Sequence, residues 1–243
     1  MLLVIPARLA STRFYAKPLA LINGKPMVQW VYEQCCKVKD ADVIIATDHQ
    51  SIEDAALQFG AKVALTSLTH ISGTDRVAEI ALKFPAYEYI INVQGDEPCI
   101  SPDQINAVLK ELKRGSKIVT LKKFINSTQA ENPNIVKVVC DSIGNARYFS
   151  RAKIPFEKAH KAIYYKHIGI YGFCNATLIK LTNLPMGNLE QIEQLEQLRW
   201  LENGYKIRCV ETNFESPSVD VPEDIEKVTK YLSSLNNLYK SPQ

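Results

Sequence analysis

Four basic residues fall within eighteen positions near the start of the chain: Arg8, Arg13, Lys17 and Lys25 in ARLASTRFYAKPLALINGKP. They follow a short apolar run, LLVIP, and little acid balances them. Arginine offers several donors in a fixed fork and lysine a mobile point charge. Arg8, Arg13 and Lys17 around one strand end suit an anion with many peripheral oxygens, such as a triphosphate. The plainer alternative is a set of solvated loop cations. The segment is neither G-x-G-x-x-G nor G-x-x-x-x-G-K-[ST], and it has no glycine before Gly24. Farther along, NVQGDEP sets Asp96 beside the turn-forming Gly95. A carboxylate there can hold a magnesium ion, or it can bond to its own turn backbone. SVDVPEDIEKV adds Asp220 at a strand-to-helix junction. Glu223 and Asp224 follow in the first helical turn, where the helix end alone accounts for acid. Spacing by itself does not bring Asp96 and Asp220 together.

Other candidates lie in the second half. LEQIEQLEQLRWLENG reads as one helix with Glu190, Glu193 and Glu196 on roughly one side, next to Gln197. Glu190 and Glu193 read as a solvated face; Glu196, beside Leu195 and Leu198, does not. His167 precedes the strand IGIYGF and reads equally as structural or functional. Arg151 in YFSRAKIPF either binds a carboxylate or faces water. Cys99, after the acidic turn, reads as buried filler. No G-x-S-x-G nucleophile signature occurs.

These residues need elements to position them. LLVIP, DVIIAT, KVAL and YIINVQ are short apolar strands separated by the helices PMVQWVYEQCCKV, SIEDAALQF and GTDRVAEIALKF. Apolar strands alternating with helices indicate a parallel sheet covered on both faces. Ligands of such sheets collect beyond the carboxyl ends of the strands. The basic loop, Thr47-Asp48-His49, the SGT turn at 72–74 and QGDEP should therefore converge on one edge. After the helix SPDQINAVLKELKRG come strand-like pieces, KIVTLKKF, NIVKVVCD, NARYFS and HIGIYGFC, with a surface loop near 152–166. The helix ATLIKLTNL, the long Glu-rich helix, the strand KIRCVET and the helix VPEDIEKVTKYLSSL complete the order, with a frayed end at the last few residues. The fold class is α/β: a mostly parallel Rossmann-like sheet with a mixed or antiparallel extension. The chain reads as a single domain over 1–243, with the extension at roughly 117–175.

Composition narrows the function classes. The net charge is +3, from 29 Lys plus Arg against 26 Asp plus Glu. That is too small an excess, without a basic aromatic stripe, for a nucleic-acid binder. No apolar run approaches a membrane span, and the leading run is too short for a signal peptide. Six cysteines lack C-x2-C spacing and read as reduced thiols of a cytoplasmic protein.

The motifs IPARLASTRFYAKPLALINGKPM, ATDH, TSLTHISGTDRVAE, INVQGDEP, VKVVCD, ARYFSRAKIPF, HIGIYGF, LEQIEQLEQLRWLENG and VDVPEDIEKV occur in the order of the bacterial 3-deoxy-manno-octulosonate (Kdo) cytidylyltransferases. The chain resembles that family from about residue 2 to 234. The opening loop and NVQGDEP also occur across the wider nucleotidyltransferases, whereas SGT[DE]R, YFSR-x-x-IP, H-x-GIYGF and LEQLR are more specific. The resemblance implies CMP transfer from CTP to Kdo, releasing pyrophosphate, on the route to lipopolysaccharide. It implies Arg8 and Lys17 as catalytic CTP-phosphate ligands, with Arg13, Ser72 and Gln94 also on the nucleotide. Asp96 and Asp220 would be the catalytic magnesium ligands. Arg151, His167, Glu196 and Gln197 would lie near the acidic sugar. It further implies a cytoplasmic homodimer that acts on small molecules and on neither nucleic acid nor membrane. Rival readings are a cytidylyltransferase for 8-amino-Kdo or another acidic sugar, and a non-catalytic nucleotide-binding scaffold. One departure stands out: the family's usual proline and glycine in the opening loop are Tyr15 and Ala16 here. Ala16 is expected to lie in an ordinary backbone region.

Overall fold

The computed structural model describes residues 1–10 and 13–238; the expected frayed end lies outside the described residues. In chain order the elements are β1 (Leu2–Ala7), a 3-10 turn (Lys17–Leu19), β2 (Leu21–Ile22), β3 (Lys25–Pro26), α1 (Met27–Cys35), β4 (Asp42–Thr47), α2 (Gln50–Gln58), β5 (Val63–Leu65), α3 (Gly73–Lys83), β6 (Tyr89–Asn92) and α4 (Pro102–Lys113). Then follow β7 (Ile118–Ile125), α5 (Ser127–Ala130), β8 (Lys137–Cys140), β9 (Ala146–Ser150), β10 (Tyr164–Cys174), α6 (Asn175–Thr182), α7 (Asn188–Glu193), α8 (Gln197–Glu202), β11 (Arg208–Glu211) and α9 (Asp224–Leu238). The chain divides into two compact units, residues 1–105 with 215 onward, and residues 106–214.

In the first unit the strands run in the order β6-β1-β4-β5, all parallel. Their side chains explain it: Leu3, Val4, Ile5, Ile45, Ile90 and Ile91 are fully buried, as strands covered on both faces require. The register pairs Ala7 with Thr47, so the strand ends that carry Arg8 and Asp48 lie side by side. β2 and β3 form a hairpin whose Asn23 and Gly24 both have positive φ, the signature of a tight two-residue turn. Lys25 donates to both Glu33 carboxylate oxygens at 2.8 and 2.9 Å and stacks over Trp30, which clamps this hairpin to α1.

Beneath the QGDEP turn lies a small core of Ile22, Met27, Cys99, Val219, Val228 and Leu232. It packs the hairpin, α1 and α9 against the two segments that carry Asp96 and Asp220. Cys99 is the filler expected of it: burial, and secondarily the charge of Glu97, pushes its thiol up to about 12, far from reactive.

In the second unit the order is β11-β7-β10, with β10 antiparallel and β11 parallel to β7. β8 pairs with β9 antiparallel and touches β10 through Lys137 and Lys166. The parallel and mixed sheets of the two units match the expected fold class. A bulge interrupts β10 between Ile168 and Tyr171. There the Thr120 hydroxyl lies 3.0 and 2.8 Å from the Ile168 and Ile170 carbonyls that the ladder leaves over.

The long Glu-rich helix is the main correction. It is two short helices, α7 and α8, parted at Gln194, whose φ of 54 and ψ of 48 are left-handed. On a continuous helix residues nine apart would be about 13.5 Å apart along the axis. The break instead lets Arg199 grip Glu190 with two parallel bonds of 2.7 and 2.6 Å. Glu190 is therefore buried and not part of a solvated face. Glu193 is engaged as well, accepting from Ser150 Oγ at 2.5 Å and the Arg151 backbone N–H at 2.9 Å.

Candidate functional site

Beyond the carboxyl ends of β1 and β6, the first unit holds an open cleft of ≈ 220 Å³. Arg8, Arg13, Lys17, Ser72, Gln94 and Asp96 all line it, so these candidates do converge. Wall residues the sequence left unassigned include His70, Ile71 and Arg76. Close backbone approach builds the floor. A Cβ on Gly95 would stand 2.8 Å from the Pro6 carbonyl oxygen, so only glycine lets the QGDEP turn sit against the end of β1. Gly73 opens α3 beside Pro6 and Gln94, with a Cβ position 3.8 Å from Gln94 Oε1. Ser72 caps that helix, accepting from Asp75 N–H while Asp75 returns the bond to Ser72 N–H. The N-terminus of α3 thus faces the cleft, a placement that favours anions.

The basic loop is pinned at both ends. At its start, Leu9 N–H donates to Asp48 Oδ1 at 3.2 Å, and Asp48 Oδ2 lies 2.8 Å from Arg76 Nη2. Arg76 is 3% exposed and also bonds Thr66 Oγ1, so this pair ties β1, β4 and α3 together beneath Arg8. At its end, Ala16 N–H donates to Leu9 O at 3.0 Å and closes the loop on itself. Ala16 has φ 52 and ψ 28, which overturns the expectation of an ordinary backbone region. The turn into Lys17 needs the left-handed conformation, which costs a residue with a Cβ about 1–2 kcal/mol. Glycine there widens the unfolded ensemble, an opposing effect of about 0.4–1 kcal/mol. Ala16→Gly is accordingly expected to stabilise the chain by about 0.5–1 kcal/mol, read as a higher urea midpoint at unchanged slope. A lower midpoint would contradict the left-handed assignment.

The fold also brings the two aspartate segments together. Val219 N–H donates to Asp96 O at 2.9 Å, which sets Asp220 next to the QGDEP turn. Asp224 fixes the approach by accepting from the Asp220 and Val221 N–H groups at 2.9 and 3.1 Å, so its own acid is explained by capping. Lys17 Nζ reaches Asp96 Oδ2 at 2.6 Å and Val219 O at 3.0 Å. Arg13 Nη2 reaches Asp220 Oδ1 at 3.0 Å. Arg8 is exposed, and no protein partner for it is found among the described residues. Among those residues no cluster of three or more His, Cys, Asp or Glu occurs. Two carboxylates on adjoining segments, open to a ligand's phosphate oxygens and to water, are nonetheless a donor set that suits magnesium.

The wall opposite is held by Glu79. His70 Nε2 and Lys83 Nζ each lie 2.7 Å from it, and Ser67 N–H donates at 2.9 Å. Burial alone would raise this carboxyl, but the bonds from Lys83, Ser67 and His70 outweigh it and hold it at about 2, against an ordinary 4.5. A depressed carboxylate contributes stability that is full above its unfolded value and is lost as pH falls from about 4.5 toward 2. Glu79→Gln is expected to remove this part of the acid sensitivity. Its denaturant midpoint should change less between pH 5 and pH 3 than that of the parent chain; equal changes would refute the assignment.

The remaining candidates belong to the second unit. His167 packs against Phe149 and Tyr171 with ring centroids 5.0 and 5.4 Å away, and its Nε2 is 2.9 Å from Thr120 Oγ1. Desolvation takes its pKa down to about 3, so it is neutral at physiological pH. Its ring can therefore offer a ligand a hydrogen bond but no positive charge. Arg151 donates from Nε to Glu193 O at 3.0 Å. Glu196 stands at the start of α8 and Gln197 is buried in its first turn. Among the described residues no helix is long and apolar enough to cross a membrane.

Known proteins share much of this sequence and its architecture. The cytidylyltransferase family model matches residues 2–207. A 3-deoxy-manno-octulosonate cytidylyltransferase of Fusobacterium nucleatum is 44% identical over 237 residues, covering 96% of this chain and 97% of that one. One of Solibacter usitatus is 48% identical over 233 residues, covering 93% and 92%. A solved CMP:2-keto-3-deoxy-manno-octonic acid synthetase complexed with CTP superposes with a TM-score of 0.92 at 40% identity, covering 96% of this chain and 98% of that one. With these matches spanning nearly the whole chain, it belongs to the 3-deoxy-manno-octulosonate cytidylyltransferase family.

Proposed function

We propose that this chain transfers CMP from CTP to the anomeric hydroxyl of 3-deoxy-manno-octulosonate, releasing pyrophosphate. The observation that carries the reading is one cleft in which the basic loop, the N-terminus of α3 and the Asp96 turn converge. Arg8 and Lys17, with Arg13, bind the triphosphate and stabilise negative charge on the departing pyrophosphate. Ser72 and Gln94 line the nucleotide side. Asp96 and Asp220 would hold magnesium, which when bound would draw charge from the α-phosphate and make the attacking hydroxyl more acidic. No side-chain base is required. Arg151, His167, Glu196 and Gln197 bind the acidic sugar. Arg151 supplies the cation for its carboxylate, while neutral His167 supplies a hydrogen bond.

Mass action tests the nucleotide half. A ligand at one hundred times its dissociation constant stabilises the native state by about 2.7 kcal/mol. CTP with magnesium should raise the melting temperature by several degrees, and GTP should not. An equal shift with GTP would remove cytosine from the reading. For the sugar half, Arg151→Ala should raise KM for the acidic sugar and leave KM for CTP unchanged; the reverse pattern would displace Arg151 from the sugar.

A further inference from the structure

The two loop cations already have partners. Lys17 lies 2.6 Å from Asp96, and Arg13 lies 3.0 Å from Asp220. The cations are the groups assigned to the triphosphate, and the carboxylates are those assigned to the metal. We infer that triphosphate and divalent cation enter this site by exchange: Lys17 and Arg13 are positioning residues for the metal-binding carboxylates until phosphate draws them away, so each ligand tightens the other. The inference rests on the assignment of Asp96 and Asp220 to a divalent cation.

The argument is competition. A metal ion approaching Asp96 alone meets an ammonium already in contact with that carboxylate, which both occupies an oxygen and repels the incoming charge. A triphosphate approaching Lys17 alone must detach it from Asp96 and leave the carboxylate uncompensated. When both ligands arrive, no group loses a partner, because the carboxylates take the metal and the cations take the phosphates. Such coupling is reciprocal by thermodynamic necessity. The Lys17–Asp96 pair should dominate it. Its side chains are 13% and 31% exposed, whereas those of Arg13 and Asp220 are 64% and 49% exposed and well screened by solvent. The second Lys17 bond, to Val219 O, keeps the ammonium between the two aspartate segments.

The test is calorimetric titration of the full chain with magnesium chloride alone, and separately with CTP in EDTA. Lys17→Met is expected to bind magnesium alone at least about fivefold more tightly than the parent chain, since a contact charge is removed. It should bind CTP in EDTA more weakly. Arg13→Met should shift both affinities in the same directions, by about twofold. Asp96→Asn provides the converse: a neutral amide oxygen holds Lys17 more weakly than the carboxylate does, so CTP binding in EDTA should tighten. Unchanged or weaker magnesium binding by Lys17→Met overturns the exchange. Should that variant fail to fold, unchanged CTP affinity in Asp96→Asn overturns it equally. Turnover by the parent chain distinguishes the two failures. If the parent chain is active, loss of the exchange leaves the proposed reaction standing. If it binds no CTP even with magnesium, the reaction itself is refuted.

Discussion

Asp96→Asn is expected to reduce pyrophosphate-releasing turnover by about 10³-fold or more while the chain stays folded. The size follows from what the carboxylate would hold. A metal positioned on transferring phosphate stabilises the transition state by several kcal/mol, and each 1.36 kcal/mol is a factor of ten in rate. The fold should survive for local reasons. Asparagine keeps the shape of the side chain and an acceptor for Lys17, and the bond from Val219 N–H goes to the Asp96 backbone, which is unaltered. The ammonium is also not stranded, since Lys17 keeps its 3.0 Å bond to the Val219 carbonyl. A melting temperature within a few degrees of the parent, beside the lost turnover, separates chemistry from folding. Turnover within tenfold of the parent would remove Asp96 from the catalytic machinery.

The largest stability effect is expected in the second unit. Glu190→Ala leaves Arg199, whose side chain is 12% exposed, without its bidentate partner. Removing one member of a buried pair typically costs about 3–5 kcal/mol, because the remaining charge is stranded. The loss should appear as a lower urea midpoint at unchanged slope. Glu190→Ala combined with Arg199→Met should recover much of it, since two apolar groups strand no charge. A loss below about 1 kcal/mol for the single variant would show that Arg199 finds another acceptor. This pair also fixes the turn that presents Glu196 and Gln197, so the variant probes the proposed sugar side indirectly.

Much of the first unit was legible in the sequence because each signal there is local. β1, β4 and β6 have continuous apolar centres, and Gly60 and Gly115, both with positive φ, follow the ends of α2 and α4. The convergence of the basic loop, SGT and QGDEP followed from one topological rule about parallel sheets. The features that were missed depend on distant residues. Nothing in LEQIEQLEQLRWL marks a break, since glutamine is a good helix former. The left-handed Gln194 is set by the pairing of Glu190 with Arg199 and by Glu193 binding β9. The one hint of positive φ at Ala16 was the glycine usual there in the family; alanine itself carries none, because its conformation is imposed by closing the loop onto Leu9. Lys17 with Asp96 and Asp48 with Arg76 are 79 and 28 residues apart, beyond what spacing conveys. The motif SGTDR did contain Arg76, but its burial against Asp48 is a tertiary fact. His167 reads from sequence as either structural or functional, and only its packing shows that it is neutral.

The central claim is one reaction, and pyrophosphate release measures it. CTP, UTP, ATP and GTP should each be offered with magnesium against 3-deoxy-manno-octulosonate, its 8-amino analogue and a sialic acid. The account predicts rapid release with CTP and 3-deoxy-manno-octulosonate, slower release with the other acidic sugars, and arrest by EDTA. Preference for the 8-amino sugar would keep the mechanism and change the substrate. Absence of turnover with CTP and every acidic sugar, despite CTP binding, would contradict the account and leave a nucleotide-binding scaffold.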